Sequence, residues 1–138
     1  GRAIAIAKTT ACHSLSYPMT SQFGIPHGHA VALTLGEMIK YNLDEKNHAL
    51  NDPRGEKNVI GIMREILGLL GYSSAEEAGA GIQNFVKSLG LKTRLSELDV
   101  PPEGMEFIVS NGFNPQRVKN NPRVLTEEGA RKIIKCIY

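Results

Sequence analysis

Apolar side chains recur three and four residues apart in successive blocks of this sequence, and Gly or Pro punctuates the gaps between them. Val59, Met63, Ile66, Leu67 and Leu70 precede Gly71, and Ile82, Phe85, Val86 and Leu89 precede Gly90. That period lines one side of an α-helix, and Gly is the common residue just past a helix end. No run alternates apolar and polar residues for long enough to build a sheet. The sequence therefore predicts an all-α, multi-helix domain of about six helices.

The first helix is expected over "AIAIAKTTACHSLS", where Ala3, Ala7 and Ala11 fall at intervals of four and make a narrow face for close packing. Pro18 disfavours helical geometry at Tyr17, so this helix is expected to end near Ser16. "GHAVALTLGEMIKYNL" reads as a second helix, with Val31, Leu35, Met38 and Ile39 on one side. Ser74 is placed to cap the helix whose buried face is Ile82, Phe85, Val86 and Leu89. "PPEGMEFIVSNG" holds a shorter helix. Thr126, followed by Glu127 and Glu128, caps a last one carrying Ala130, Ile133, Ile134 and Ile137.

Composition narrows the function classes. With 138 residues, 41% of them hydrophobic and 22% charged, the chain has enough apolar material for one globular core. A net charge of +2 gives no electrostatic footprint for nucleic acid or an anionic membrane. No apolar run approaches the roughly 20 residues that span a bilayer, and "GRAIAIAKTTA" lacks a signal-peptide cleavage region. Cys12 and Cys136 form no CxxC and no disulfide framework, which points to a reducing compartment and a soluble, cytoplasmic protein.

Three of the four histidines fall within "CHSLSYPMTSQFGIPHGHA". His13 is expected in the last turn of the first helix, and His27, 14 residues on, at the entrance to the second. A loop between antiparallel helices can bring such positions together, and a helix N-terminus disfavours the imidazolium form. Neutral imidazole is the form a metal takes. His29 is the weaker candidate, because two residues on a helix turn through about 200° and point it away from His27. Tyr17, four residues after His13, shares its face. From spacing alone, a hydrogen-bonded structural pair of histidines is the commoner outcome, and two imidazoles fall short of the three or four ligands usual for Zn²⁺ or Fe²⁺. Asp44, His48 and Asp52 show no metal-like spacing and read as solvated surface.

There is no GxGxxG phosphate loop and no GxSxG nucleophile elbow. Arg117, Lys119 and Arg123 read as ordinary surface charge near a helix start, with a subsite for an anionic substrate as the alternative.

"CHSLSYPMTSQFGIPHGHAVALTL" resembles the histidine segment of the iron-containing (group III) alcohol dehydrogenases, in which a histidine-bearing helix and a small-residue turn lead to "PHG" at the next helix. "NNPRVLTEEGARKIIKCIY" is similar to that family's C-terminus, where Asn-Pro-Arg precedes a capped last helix. The wording is closest to the branch that includes phosphonoacetaldehyde reductases. The resemblance covers essentially all 138 residues and implies the helical C-terminal domain of a dehydroquinate synthase-like fold.

It further implies that residues 1–138 are the C-terminal part of a two-domain enzyme, a metal-dependent alcohol dehydrogenase or aldehyde reductase. His13 and His27 would hold a divalent metal, Fe²⁺ or alternatively Zn²⁺. An Asp and a further His upstream of Gly1 would complete the set, and a separate N-terminal domain would bind NAD or NADP. The substrate would be a small alcohol or aldehyde, a phosphonate aldehyde among the candidates, with a homo-oligomer as one option for the full-length protein. The piece alone is expected to be inactive. Where many members carry a second histidine near the nicotinamide, this chain has Tyr17, which makes a phenol the candidate catalytic and cofactor-contacting group. Two alternatives stand: a dehydroquinate synthase- or glycerol dehydrogenase-like enzyme, disfavoured because this chain has "HGH" where those sites more often have "HGE", and a non-enzymatic helical module with structural histidines.

Overall fold

The structure is a computed structural model that describes residues 2–44, 46 and 49–138, the side chains at positions 3 and 4 excepted. His48 and the side chain of Ala3 lie outside the described residues. The chain runs through α1 (Arg2–Ile6), α2 (Ala11–Phe23), α3 (His27–Leu43), α4 (Glu56–Leu70) and α5 (Ala75–Ser88). A 3₁₀ turn at Ser96–Leu98 follows, then α6 (Gly104–Gly112), α7 (Pro115–Val118) and α8 (Glu127–Cys136). Among the described residues, the only pairing of extended backbone is an isolated antiparallel bridge between Leu50 and Arg123. No described helix is long and apolar enough to cross a membrane.

α3 is the shared wall of two cores. Its Ala30, Leu33 and Met38 pack with Leu15 and Met19 of α2, Ile108 and Val109 of α6, and Ile133 and Ile134 of α8. Its Ile39 packs with Val59, Met63 and Leu67 of α4 and Ala78 of α5. The helix signals act as the sequence predicts: Ser74 accepts from the Glu77 amide, Thr126 from the Gly129 amide, and Gly71 and Gly90 take left-handed conformations. All four apolar residues expected on the last helix are buried.

The expected first helix is two helices. Residues 7–10 are not helical, Thr10 is extended and stands at the N-cap of α2, and Asn120 donates to the Thr9 carbonyl. Consecutive threonines favour helix starts over helix interiors, so the run breaks there and Ala7 and Ala11 share no helical face. α2 then continues past Ser16, through Tyr17 and Pro18, to Phe23. Tertiary packing overrides the pre-proline bias. α6 crosses α2 at Gly112, where a Cβ would meet Leu15 Cα at 3.0 Å and Pro18 Cγ at 3.1 Å, and Ser14 Oγ donates to the Gly112 carbonyl. The helix ends instead at Gly24, whose φ of 67° suits glycine.

Two further expectations are corrected. Phe85 (65% exposed) and Leu89 (59%) lie outside the core, because α5 packs on α3 along a narrower face that includes Ala78, Gly79 and Val86. Gly79 meets Gly36 there backbone to backbone. Arg123 is not surface charge: it is 0% exposed, its Nε donates to the Asn42 carbonyl at 2.8 Å and its guanidinium pairs with Glu56. A cleft of about 660 Å³, lined by Leu35, Met38, Val59 and Met63 among others, opens between α3 and α4 and does not include the histidines.

Candidate metal centre

His13 is the third residue of α2, near its start and not in a last turn, because the helix begins at Ala11 and runs on past Pro18. His27 is the first residue of α3, behind the N-cap Pro26. The tight Gly24–Pro26 link returns the chain so that the two imidazole rings meet edge-on, centroids 5.3 Å apart. Tyr17 closes the cluster, its ring centroid 5.7 Å from that of His27 and its side chain 44% exposed.

Ser16 bears on the tautomer of His27. Its hydroxyl donates to the His13 carbonyl at 2.8 Å, and its oxygen lies 3.2 Å from His27 Nδ1. A serine has one proton to give. With that proton on the His13 carbonyl, Ser16 Oγ accepts from Nδ1–H, so the neutral His27 tautomer keeps its free lone pair on Nε2. His13 is held below the ordinary histidine pKa, first by burial and then by the nearby His27. A neutral imidazole beside one with an open Nε2 is the donor chemistry a divalent transition metal takes.

The pair is still a partial site. Among the described residues no group of three or more His, Cys, Asp or Glu converges. The two imidazoles therefore fit a metal as part of a ligand set, not as all of it.

His29 turns away: it is 8% exposed, and its Nε2 donates to the Lys92 carbonyl at 2.7 Å, tying α3 to the loop after α5. Asp52 accepts from Arg54 and Asn58 and takes no part in the cluster. Of the basic run, Arg117 lies beside the site, its Cζ 4.4 Å from the centre of the Tyr17 ring. Lys119 donates to Gln116, and Arg123 belongs to the buried pair with Glu56.

The sequence reading missed two groups. Ser16 and Thr20 follow His13 at i+3 and i+7, the helical signature of a shared face with Tyr17 at i+4. Thr20 Oγ1 is buried with no hydrogen-bond partner among the described residues.

Comparison with known proteins gives this arrangement its context. The chain is 34% identical over 134 residues to a phosphonoacetaldehyde reductase of Streptomyces viridochromogenes, covering 97% of this chain and 33% of that protein. It superposes on the crystal structure of a sulfoacetaldehyde reductase from Bifidobacterium kashiwanohense in complex with NAD⁺, with a TM-score of 0.70 and 25% identity over 94% of this chain and 31% of that one. An alcohol dehydrogenase from Oenococcus oeni shares the fold, with a TM-score of 0.71 at 22% identity, over 99% of this chain and 34% of that one. The chain spans about a third of the length of each of these relatives. The model of the Fe-containing alcohol dehydrogenase family, C-terminal, matches residues 1–138. The chain belongs to the Fe-containing alcohol dehydrogenase family.

Proposed function

We propose that residues 1–138 form the C-terminal, metal-ligating part of an NAD(P)-linked alcohol dehydrogenase or aldehyde reductase that acts on small alcohols or aldehydes. The observation that carries the reading is the edge-on meeting of His13 and His27, with Ser16 leaving His27 Nε2 open. In this reading His13 and His27 hold the metal, Fe²⁺ or Zn²⁺, and a longer full-length protein supplies the remaining ligands and the dinucleotide-binding domain. The relatives, about three times longer than this chain, support that division. Two free thiols, Cys12 buried and Cys136 exposed, support a cytoplasmic setting.

When bound, the metal supplies Lewis-acid polarisation of the substrate oxygen. The chain's own residues bind and orient. Ser16 fixes the His27 ring through Nδ1, so its orientation is set before any ligand arrives. Burial, and then the nearby His27, lower the His13 pKa, which favours the neutral ring that a metal takes. Tyr17 holds a phenolic proton beside His27 and is the candidate to pass it to the substrate oxygen. Reduction of an aldehyde moves a hydride from the reduced nicotinamide to the carbonyl carbon and a proton to the oxygen, giving the alcohol and NAD(P)⁺.

The test uses the full-length protein. Metal content and NAD(P)H-dependent reduction of a small aldehyde are measured for wild type, His13→Ala and His27→Ala, with circular dichroism as the fold control. Loss of both metal and turnover in each folded variant is expected. Two variants that keep full metal and full turnover would overturn the ligand reading.

A further inference from the structure

Arg117 is a cation built into the rim of the histidine cluster. The four-residue α7 holds it there: Asn114 caps the turn by accepting from the Gln116 amide, and buried Val118 anchors it against the core. The guanidinium sits over the Tyr17 ring, and Tyr17 in turn borders His27, so a single aromatic ring separates the charge from the candidate metal ligand. Arg123 and Arg131, by contrast, are committed to carboxylates, Arg123 to Glu56 and Arg131 to Glu106 and Glu127. No carboxylate pairs with Arg117 among the described residues. Its five N–H donors have no acceptor there, although stacking on Tyr17 already limits its freedom.

A planar donor fork without a counter-ion, one ring away from where a carbonyl would be held, suits a short substrate with an oxyanion at its other end. We propose that Arg117 is a specificity-determining residue that binds the tetrahedral anionic head group, phosphonate or sulfonate, of a two-carbon aldehyde. The inference rests on the aldehyde-reductase reading above and deepens it. Phosphonoacetaldehyde and sulfoacetaldehyde share this chemistry, an XO₃ group on the carbon next to the carbonyl, and each is named in the activity of one relative. Guanidinium meets such a group with two parallel charge-assisted hydrogen bonds, which a neutral aldehyde cannot accept.

The experiment compares the full-length wild type, Arg117→Gln and Arg117→Lys with phosphonoacetaldehyde, sulfoacetaldehyde and butanal. In Arg117→Gln the ratio of kcat/KM for the preferred anionic aldehyde to that for butanal is expected to fall about 10- to 100-fold, the scale of one charged, hydrogen-bonded contact. Arg117→Lys, which keeps the charge and loses the fork, is expected to fall between. The better anionic substrate identifies the head group. Independently of turnover, methylphosphonate should broaden its ³¹P signal on titration with wild type and not with Arg117→Gln. An unchanged ratio with unchanged methylphosphonate broadening would overturn the role of Arg117 while leaving the reductase reading intact. A selective rise in KM for NAD(P)H would instead assign the residue to dinucleotide phosphate. Absence of turnover with all three aldehydes in wild type would bring down the reductase reading, and this inference with it.

Discussion

Ser16 Oγ stands 3.2 Å from His27 Nδ1 while giving its one proton to the carbonyl of His13, so a single hydroxyl links the backbone of one imidazole-bearing residue to the ring of the other. Groups that orient a ligating histidine are typically worth about 10- to 100-fold in metal affinity. Ser16→Ala in the full-length protein is therefore expected to keep the fold and to weaken metal binding by about that factor. Competition with a chelator of known affinity measures it. ¹⁵N NMR of the metal-free protein should find the proton of neutral His27 on Nδ1 in wild type and shared between both nitrogens in Ser16→Ala. A wild-type proton on Nε2 would contradict the assignment.

His29 and the proposed ligand His27 share the "PHGHA" segment but differ in their surroundings, His29 bonding to the Lys92 carbonyl and His27 meeting His13. His29→Ala removes the donor to the carbonyl of Lys92 in the loop after α5, a part-buried hydrogen bond. Losing such a bond costs about 0.5–1.5 kcal/mol. The expected outcome is a lower midpoint in urea unfolding with metal content retained, whereas His27→Ala should lose metal and leave the midpoint of the metal-free protein nearly unchanged. The reverse pattern would move the ligand assignment to His29.

The turn before α4 carries the clearest titration. Asp52 accepts from the Arg54 side chain at 2.9 and 2.8 Å and from the Arg54 amide, which pulls its pKa down to about 2. A carboxylate with a depressed folded pKa contributes stability that is fully present above its ordinary value of 3.8 and is lost as pH falls through about 2. Carboxyl ¹³C shifts followed against pH should give that low midpoint in wild type and a higher one in Arg54→Ala. A wild-type midpoint near 3.8 would mean the fork does not form in solution.

Much of the fold was readable because the helix signals are local. Gly71, Gly90, Ser74 and Thr126 act through their own neighbours, and the structure uses each as expected. What the sequence concealed depends on partners far along the chain. The helix through Pro18 rests on α6, with Gly112 packed nearly a hundred residues away, and no periodicity in "SLSYPMTSQF" discloses that support. The apolar spacing of α5 identified a helix but not how narrow its buried face is, which the Gly36–Gly79 approach decides. The meeting of His13 and His27 was legible from the intervening turn. Ser16 was not, because its role depends on a single proton's direction and its spacing differs little from that of any helical serine.

Arg123 is the plainest case of a residue whose type misled. In a run with Arg117 and Lys119 it reads as surface charge, yet it is fully buried and holds three segments together. Its Nε donates to the Asn42 carbonyl near the end of α3, its guanidinium pairs with Glu56 at the start of α4, and its own carbonyl accepts from Asn51 and Asn121. Asn42 and Asn121 exchange side-chain hydrogen bonds beside it. Removing one partner of a buried pair typically costs about 3–5 kcal/mol, and because Glu56 is 42% exposed and can be rehydrated, about 2–4 kcal/mol is expected for Arg123→Met. Glu56→Gln, which keeps an acceptor at the surface end, should cost less. Urea unfolding of both variants measures the difference. If Arg123→Met unfolds at the wild-type midpoint, the buried network contributes no net stability, and the guanidinium must be solvated in a way this fold does not show.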